Sequence, residues 1–353
     1  MKKGWTYKKL GEVCEILDSR RKPITKSKRE SGSIPYYGAT GLLDYVKDYI
    51  FDEKLVLLGE DGAKWGAGEN SSYIVEGKTW VNNHAHALRP KRDVLIDEFL
   101  VYYLNYSNLL PYITGVTVPK LNQEKMRSIE IPIGSLNEQR SIVSRLDAAF
   151  ADIDALKANA EKQLSEARQL FQAELTECMR PKEGWEKKTL GAIVKITHGK
   201  NQKEVQSPDG SYPIYGSGGT IMGYATDFLC EANTTILGRK GSINNPQFIT
   251  ERFWNVDTAF GISPRDNNNS KFIYYFITSI DWNKKNTGTT LPSLTQLVVS
   301  SVPISVPPVD VQSQIVSRLD SLSARIKQLE EIQRKTLAEC DALKQAILKE
   351  VFE

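Results

Sequence analysis

Two histidines in alternate positions, His84 and His86, are the first residues whose spacing could do chemistry, because alternate positions on a strand place two imidazoles on one face, as a zinc site uses them. The matching segment of a repeat described below carries Thr258 and Phe260, the chain has only three histidines, and we expect no metal. Gly216-Ser217-Gly218-Gly219 and Gly66-Ala67-Gly68 do not complete G-x-G-x-x-G, and no P-loop occurs, so no nucleotide cofactor is expected in this chain. Asn245-Pro246-Gln247-Phe248 misses by one residue the Asn-Pro-Pro-aromatic loop with which amino-methyltransferases hold a flipped base, and without a nucleotide-binding glycine motif it reads as a turn. No recurring pair of carboxylates suggests a Mg²⁺ centre. The expected catalytic set is therefore empty.

Basic residues beside polar and aromatic ones are more informative. Arg20-Arg21-Lys22, with Lys26, Lys28 and Arg29 beyond, forms one basic loop, and His198-Gly199-Lys200-Asn201-Gln202-Lys203 forms its counterpart. Lys64-Trp65 and Arg239-Lys240 sit beside paired glycine turns, while Lys120 and Lys284-Lys285 flank two Gly-x-Thr-x-Pro segments. A lone basic loop is usually a solvated surface. Repeated at corresponding places, such loops suit phosphate contacts that position a domain while varied side chains read base edges. The candidate DNA-binding residues are Arg20, Arg21, Lys22, Lys64, Trp65, Lys120, Lys200, Asn201, Arg239, Lys240, Lys284 and Lys285. The formal charge is only +3, so any contact with nucleic acid must come from local clusters.

The elements that position these residues form a duplication. Gly4-Trp5, Leu10-Gly11 and Ile16 answer Gly184-Trp185, Leu190-Gly191 and Ile196. Ile34-Pro35-Tyr36-Tyr37-Gly38 answers Tyr212-Pro213-Ile214-Tyr215-Gly216, and Leu57-Leu58-Gly59-Glu60-Asp61-Gly62 answers Ile236-Leu237-Gly238-Arg239-Lys240-Gly241. Phe99-Leu100-Val101-Tyr102-Tyr103 answers Phe272-Ile273-Tyr274-Tyr275-Phe276. Apolar and β-branched runs at Lys54 to Leu58, Ser72 to Val75, Thr234 to Leu237 and Gln247 to Thr250, parted by Gly, Asn and Asp turns, predict strands. Phe99 to Tyr106 and Phe272 to Ser279 predict short helices. Most shared Trp, Gly and Pro residues are then scaffold.

Each block is followed by a long amphipathic helix. The first has Ile142, Leu146, Ala149, Ile153, Leu156, Ala160, Leu164, Ala167 and Phe171 at steps of four and three, a heptad seam with a stutter. The second repeats it as Ile315, Leu319, Leu322, Ile326, Leu329, Gln333, Leu337 and Cys340, at an offset of about 173 residues. Ser135-Leu136-Asn137-Glu138 fits a capping box, and Pro307-Pro308 with Asp310 suits the second start. A helix of this length measures roughly 60 Å, more than a small domain needs for its own core. The expected fold is α+β: two β-rich domains, 1–134 and 181–308, separated by two long helices, 135–180 and 309–353, that form an antiparallel intramolecular coiled coil. The seam is Ile142, Leu146, Ile153, Leu156 and Leu164 against Ile315, Leu319, Leu322, Ile326, Leu329 and Leu337.

The 353 residues, 40% hydrophobic and 25% charged, suffice for two cores of ordinary size. No apolar run is long enough to cross a bilayer, and Met1-Lys2-Lys3-Gly4-Trp5 does not open a signal core, so a soluble, cytoplasmic protein is expected. Cys14, Cys178, Cys230 and Cys340 fit neither a metal spacing nor a disulfide framework.

On these residues the chain resembles the specificity subunit of type I restriction-modification systems. The resemblance is carried by Gly-Trp-x-x-x-x-Leu-Gly opening each block and by Gly-Val-Thr-Val-Pro-Lys-Leu (Gly115 to Leu121) and Gly-Thr-Thr-Leu-Pro-Ser-Leu (Gly288 to Leu294). The junctions Ile131-Pro132-Ile133 to Val143 and Val306-Pro307-Pro308 to Val316 add to it. It implies a subunit without catalytic residues, whose two target recognition domains read a split DNA sequence. The helices would set the spacing and dock two methyltransferase subunits, which bind S-adenosylmethionine, methylate adenine and flip the base. Restriction subunits would add ATP- and Mg²⁺-dependent translocation and cutting. Val116, Val118 and Gly134-Ser135 depart from Thr289, Leu291 and Pro307-Pro308, so the internal symmetry is imperfect. Two other readings fit the same residues: the specificity arm of a system with one fused methyltransferase-nuclease, and a coiled-coil scaffold whose twin domains bind protein or carbohydrate.

Overall fold

A strand buried on both faces needs continuous apolar sequence, and Leu55-Val56-Leu57-Leu58-Gly59 supplies it. In the computed structural model this strand pairs antiparallel with Ala85–Pro90 on one side and Ser72–Val75 on the other, and Cys14–Ile16 extends the sheet beyond Ala85–Pro90. Because side chains alternate across a strand, Val56 and Leu58 join Phe99, Leu100 and Leu104 of the helix Asp97–Tyr106, while Leu55 and Leu57 join Leu17, Phe51 and Val81 on the opposite face. A second sheet orders Gly41–Val46, Ile34–Gly38, Lys78–Val81 and Phe51–Asp52, with Ile34–Gly38 and Lys78–Val81 parallel.

The second block repeats this plan. Thr234–Gly238 is central, flanked by Ala259–Pro264 and Gln247–Ile249, with Val194–His198 outermost. Tyr212–Tyr215 lies between Ile221–Ala225 and a parallel Trp254–Asn255. Even the register agrees: Leu58 opposes His86 as Leu237 opposes Phe260. The structure describes residues 4–115 and 117–353; Met1 to Lys3 and Val116, the latter in the first Gly-x-Thr-x-Pro segment, lie outside the described residues.

The chain divides into two compact units, Met1–Ala160 with Arg334–Glu353 and Glu161–Gln333, so each unit takes in part of both long helices. These run Leu136–Cys178 and Val309–Phe352. The first start is the expected capping box: the Ser135 amide donates to Glu138 Oε2 at 2.8 Å and the Glu138 amide to Ser135 Oγ at 3.3 Å. A fully buried glutamine then ties each helix to its own unit. Gln139 Nε2 donates to the carbonyls of Val94 (2.9 Å) and Gly134 (3.0 Å), and its Oε1 accepts from the Ile96 amide (3.0 Å). Gln312 does the same with Pro307 O (3.0 Å), Asn268 Oδ1 (3.1 Å) and the Asn269 amide (2.8 Å).

In the first unit, Ile142 and Leu146 share a core with Leu348, Val351 and Phe352, so the start of one helix lies against the end of the other. Lys344–Asp154 (2.6 Å) and Lys157–Asp341 pair across them. In the second unit, Leu175 and Cys178 pack with Val316 and Leu319, and Arg168 meets Glu330 at 2.9 Å. The helices are thus antiparallel within each unit. Ile153 is buried, and Leu164, Ile315, Leu322, Ile326, Leu329 and Leu337 are half-buried. Leu156 corrects the expected seam: it is 55% exposed, because the stutter turns it outward and half-buried Lys157 meets the partner helix instead.

Candidate nucleic-acid interface

At one end of each unit a set of loops is held by the same backbone hydrogen bonds. In the first unit, Trp80 Nε1 donates to the Lys22 carbonyl (2.7 Å), the Glu60 amide to His84 O (2.8 Å) and the Leu121 amide to Glu60 O (2.8 Å). In the second, Trp254 Nε1 donates to Lys200 O (3.0 Å), the Arg239 amide to Thr258 O (2.8 Å) and the Leu294 amide to Arg239 O (2.8 Å). Bridges Asp61–Lys120 and Lys240–Ser293 complete the correspondence. Lys22 therefore matches Lys200, Glu60-Asp61 matches Arg239-Lys240, and Lys120 matches Ser293. Arg20 and Arg21 belong to a short 3-10 turn, Asp18–Arg20 and its C-cap, for which the second unit has no equivalent.

The Gly-x-Thr-x-Pro segments are protruding loops closed at their necks. Thr114 and Lys120 exchange amide–carbonyl bonds at 2.8 Å, while the Thr287 amide donates to Ser293 O (2.9 Å) and Asn286 Oδ1 accepts from the amides of Gly288 and Ser293 (2.8 Å each). Glycine is needed at the neck: a Cβ on Gly288 would lie 2.0 Å from Leu291 O, and one on Gly115 would lie 2.4 Å from Val118 O. Thr117, Val118, Thr289, Thr290 and Leu291 are exposed at the tips.

The side chains on this shared frame differ. In the first unit Arg21 is only 11% exposed and bonds Glu60 (2.6 Å), Asp18 (3.2 Å) and the Ala85 carbonyl (2.7 Å). Lys120 meets the other Glu60 oxygen at 2.7 Å. Buried His86 has Nδ1 2.6 Å from Asp18 and Nε2 2.7 Å from Leu121 O, so both ring nitrogens face acceptors. Burial by itself would raise the Asp18 carboxyl, but His86 and Arg21 hold it below the usual carboxylate range. Glu60 is likewise raised by burial and more strongly lowered by Lys120 and Arg21. Ligand atoms of Asp18, Glu60 and His86 lie within 4.8 Å of one another, a spacing a cation could use. Arg21 and Lys120 already bring positive charge to these carboxylates and His86 is committed to Leu121 O, so the donor set does not fit a metal.

In the second unit the position of His86 is taken by Phe260, which His198 meets edge-on with centroids 5.0 Å apart, and His198 Nε2 pairs with Gln296 Oε1 at 2.6 Å. Arg239 donates to the Asp257 carbonyl (3.1 Å), and Lys200 and Lys240 are exposed. The turn Trp282–Lys285 is tied beside them, since the Trp282 amide donates to Asn244 Oδ1 at 2.8 Å. The structure thus gathers Lys200, Arg239, Lys240, Lys284 and Lys285 around one loop. Asn201 is exposed and accepts from the Lys203 amide (3.0 Å).

Two expectations change. Trp65 is 5% exposed, its Nε1 donating to Gly59 O at 3.0 Å, and belongs to the core, because an indole here fills the space under the Gly59 turn. Arg21 is a half-buried ion-pair partner rather than a surface cation. Arg20 lies over Phe51 and pairs with Glu53 at 3.3 Å, and exposed Lys64 stands 3.9 Å from Glu69. Glu60 and Asp61 were not among the candidates, and His86 was weighed only as a metal ligand; the exchange of Glu60-Asp61 for Arg239-Lys240 beside aligned glycines was the available signal.

The family pattern described as the type I restriction modification DNA specificity domain matches residues 2–166 and 182–339. A type I restriction enzyme specificity subunit named in Haemophilus influenzae is 41% identical over 145 residues, covering 41% of this chain and 37% of that one. The EcoDI specificity subunit of Escherichia coli is 22% identical over 99% of this chain and 88% of its own length. The chain thus spans little more than a third of the first relative and most of the second. A solved chain from a type I restriction-modification system has the same fold, with TM-score 0.79 over 100% of this chain and 98% of that one at 17% identity.

Proposed function

Because this chain belongs to the type I restriction modification DNA specificity family, we propose that its two units read the two halves of a split DNA target while partner subunits perform the chemistry. As a specificity subunit it is the non-catalytic, DNA-recognising component. The observation that carries the bipartite reading is the repeated loop frame: two ends with matching backbone bonds and different side chains suit two words read by one architecture. Recognition is assigned to 1–134 and 181–308, and spacing to the helices within 135–180 and 309–353. Phosphate contacts are assigned to exposed Lys22, Lys200, Lys240 and Lys284 and half-buried Lys285, with Arg20, Lys64, Lys120, Asn201 and Arg239 as the remaining candidates.

Each base pair read contributes about 1 to 3 kcal/mol of discrimination, so one small domain specifies a short word. Coupling two makes the second binding event intramolecular and demands a set separation. A helix of roughly 60 Å corresponds to about one and a half to two turns of duplex. Two methyltransferase subunits carrying S-adenosylmethionine, and restriction subunits using ATP and Mg²⁺, are the proposed partners, working in the cytoplasm. No described helix is long and apolar enough to cross a membrane.

Removing one heptad from each long helix at matching positions shortens the pair by about 10 Å and should shorten the spacer of the methylated motif by about three base pairs. Single-molecule mapping of methyladenine reads this directly. The same spacer with the same half-sites would end the ruler hypothesis.

A further inference from the structure

On one backbone frame the two units carry opposite charge at a matched pair of positions. Glu60 and Asp61 in the first unit stand where Arg239 and Lys240 stand in the second. Counting back from the loop glycines Gly115 and Gly288, Pro111 and Tyr112 stand where Lys284 and Lys285 stand, each pair following a buried anchor, Leu109 or Trp282. Pairing sharpens the difference. Glu60 is held between Arg21 and Lys120 at 2.6 and 2.7 Å, and Asp61 touches His84 and lies 3.8 Å from Lys120, so Arg21 and Lys120 are already matched and exposed Lys22, the counterpart of Lys200, is the cation left on this frame. In the second unit, among the described residues, Lys200, Lys240 and Lys285 have no carboxylate within ion-pair distance. Arg239 spends one donor on a carbonyl, and Lys284 is 3.6 Å from Asp281 yet 83% exposed.

We propose that the loop end of the second unit, through Lys200, Arg239, Lys240, Lys284 and Lys285, is the main phosphate-gripping surface, and that the matching end of the first unit, left with Lys22, grips far less. This rests on the DNA reading above and assigns the two half-sites unequal electrostatic shares. A phosphate meeting the second unit finds cations free to exchange their condensed counterions for it. One meeting the first unit finds Lys22 but also faces two carboxylates, and Lys120 must leave Glu60 to reach it. The frame is shared, so the difference lies in these side chains rather than in the fold.

The test is the salt dependence of binding of the full chain to a random-sequence duplex of fixed length. Removing four phosphate contacts flattens the log–log slope by about 3 to 4, and this is the result expected for R239Q/K240Q/K284Q/K285Q, while K120Q keeps the parent slope. The pair K284Q/K285Q, one side chain exposed and one half-buried, should give about half the change and guards against misfolding of the larger set. A fully charged slope in both second-unit variants, or an equal flattening by K120Q, overturns the inference while leaving DNA binding in place. A parent chain without salt-dependent duplex binding overturns the DNA reading itself and this inference with it.

Discussion

Glu60 and Arg239 share a backbone environment down to the individual hydrogen bond: each amide donates to a turn carbonyl at 2.8 Å, and each carbonyl accepts from a leucine amide at 2.8 Å. Their side chains nevertheless enter opposite chemistry. In the first unit the carboxylate closes a network with Arg21, Lys120, Asp18 and His86; in the second the guanidinium reaches a single carbonyl, and an edge-on His198–Phe260 contact fills the place of the ion pairs. The two regions teach that the scaffold here is a set of backbone bonds tolerant of charge reversal. That tolerance is what a recognition domain needs if its target is to change while its fold stays.

The comparison can be broken most sharply at Arg21. Arg21→Ala strips one cation from two largely buried carboxylates that keep Lys120 and His86, and the expected loss is about 3 kcal/mol, the cost of unmade hydrogen bonds to charged groups and to the Ala85 carbonyl. Urea unfolding reads it. Loss of duplex affinity with unchanged stability would instead make Arg21 a DNA contact and erase the distinction between the units.

Next come the helix anchors, where the units are alike. Gln139→Ala and Gln312→Ala each leave one half-buried amide and one buried carbonyl without this partner, and each should cost about 1 to 3 kcal/mol. Similar losses in both variants support the repeat as a mechanical equivalence; a loss confined to one would show that only one helix is pinned this way.

The smallest expected effect is the response to acid. The folded values of Asp18 and Glu60 lie below the ordinary 3.8 and 4.5, so the stability they contribute is complete above about pH 4.5 and drains as pH falls through their lowered values. Glu60→Gln removes part of that dependence, so the stability gap between parent and variant should narrow steadily below pH 4.5. A gap constant down to pH 2.5 would show that the network does not bind its carboxylates preferentially as anions.

Much of this architecture was legible beforehand because its signals are local. Ser135 and Glu138 sit three residues apart and cap the first helix as their types require. The seam at Ile142, Leu146 and Ile153 is buried as its period demands, and Leu156 failed where a stutter shifts the facing position by one residue. The glutamines were visible in the aligned junctions, but their role depends on carbonyls and amides of a loop more than forty residues earlier. Trp65 read as an aromatic beside a lysine because adjacency alone does not say which of two neighbours points inward.

By itself, the sequence determined the duplication, the long amphipathic helices and their caps, and the families of loops rich in Lys, Arg and Gly. These follow from periodicity and from residue types a few positions apart. Only the tertiary structure decided which basic residues are available to a partner. Arg21 and Lys22 are neighbours of similar charge, yet Arg21 meets Glu60 and the Ala85 carbonyl across the sheet while Lys22 remains exposed. A charge is free or spent according to what folds against it, and those groups lie dozens of residues away, beyond the reach of any local pattern.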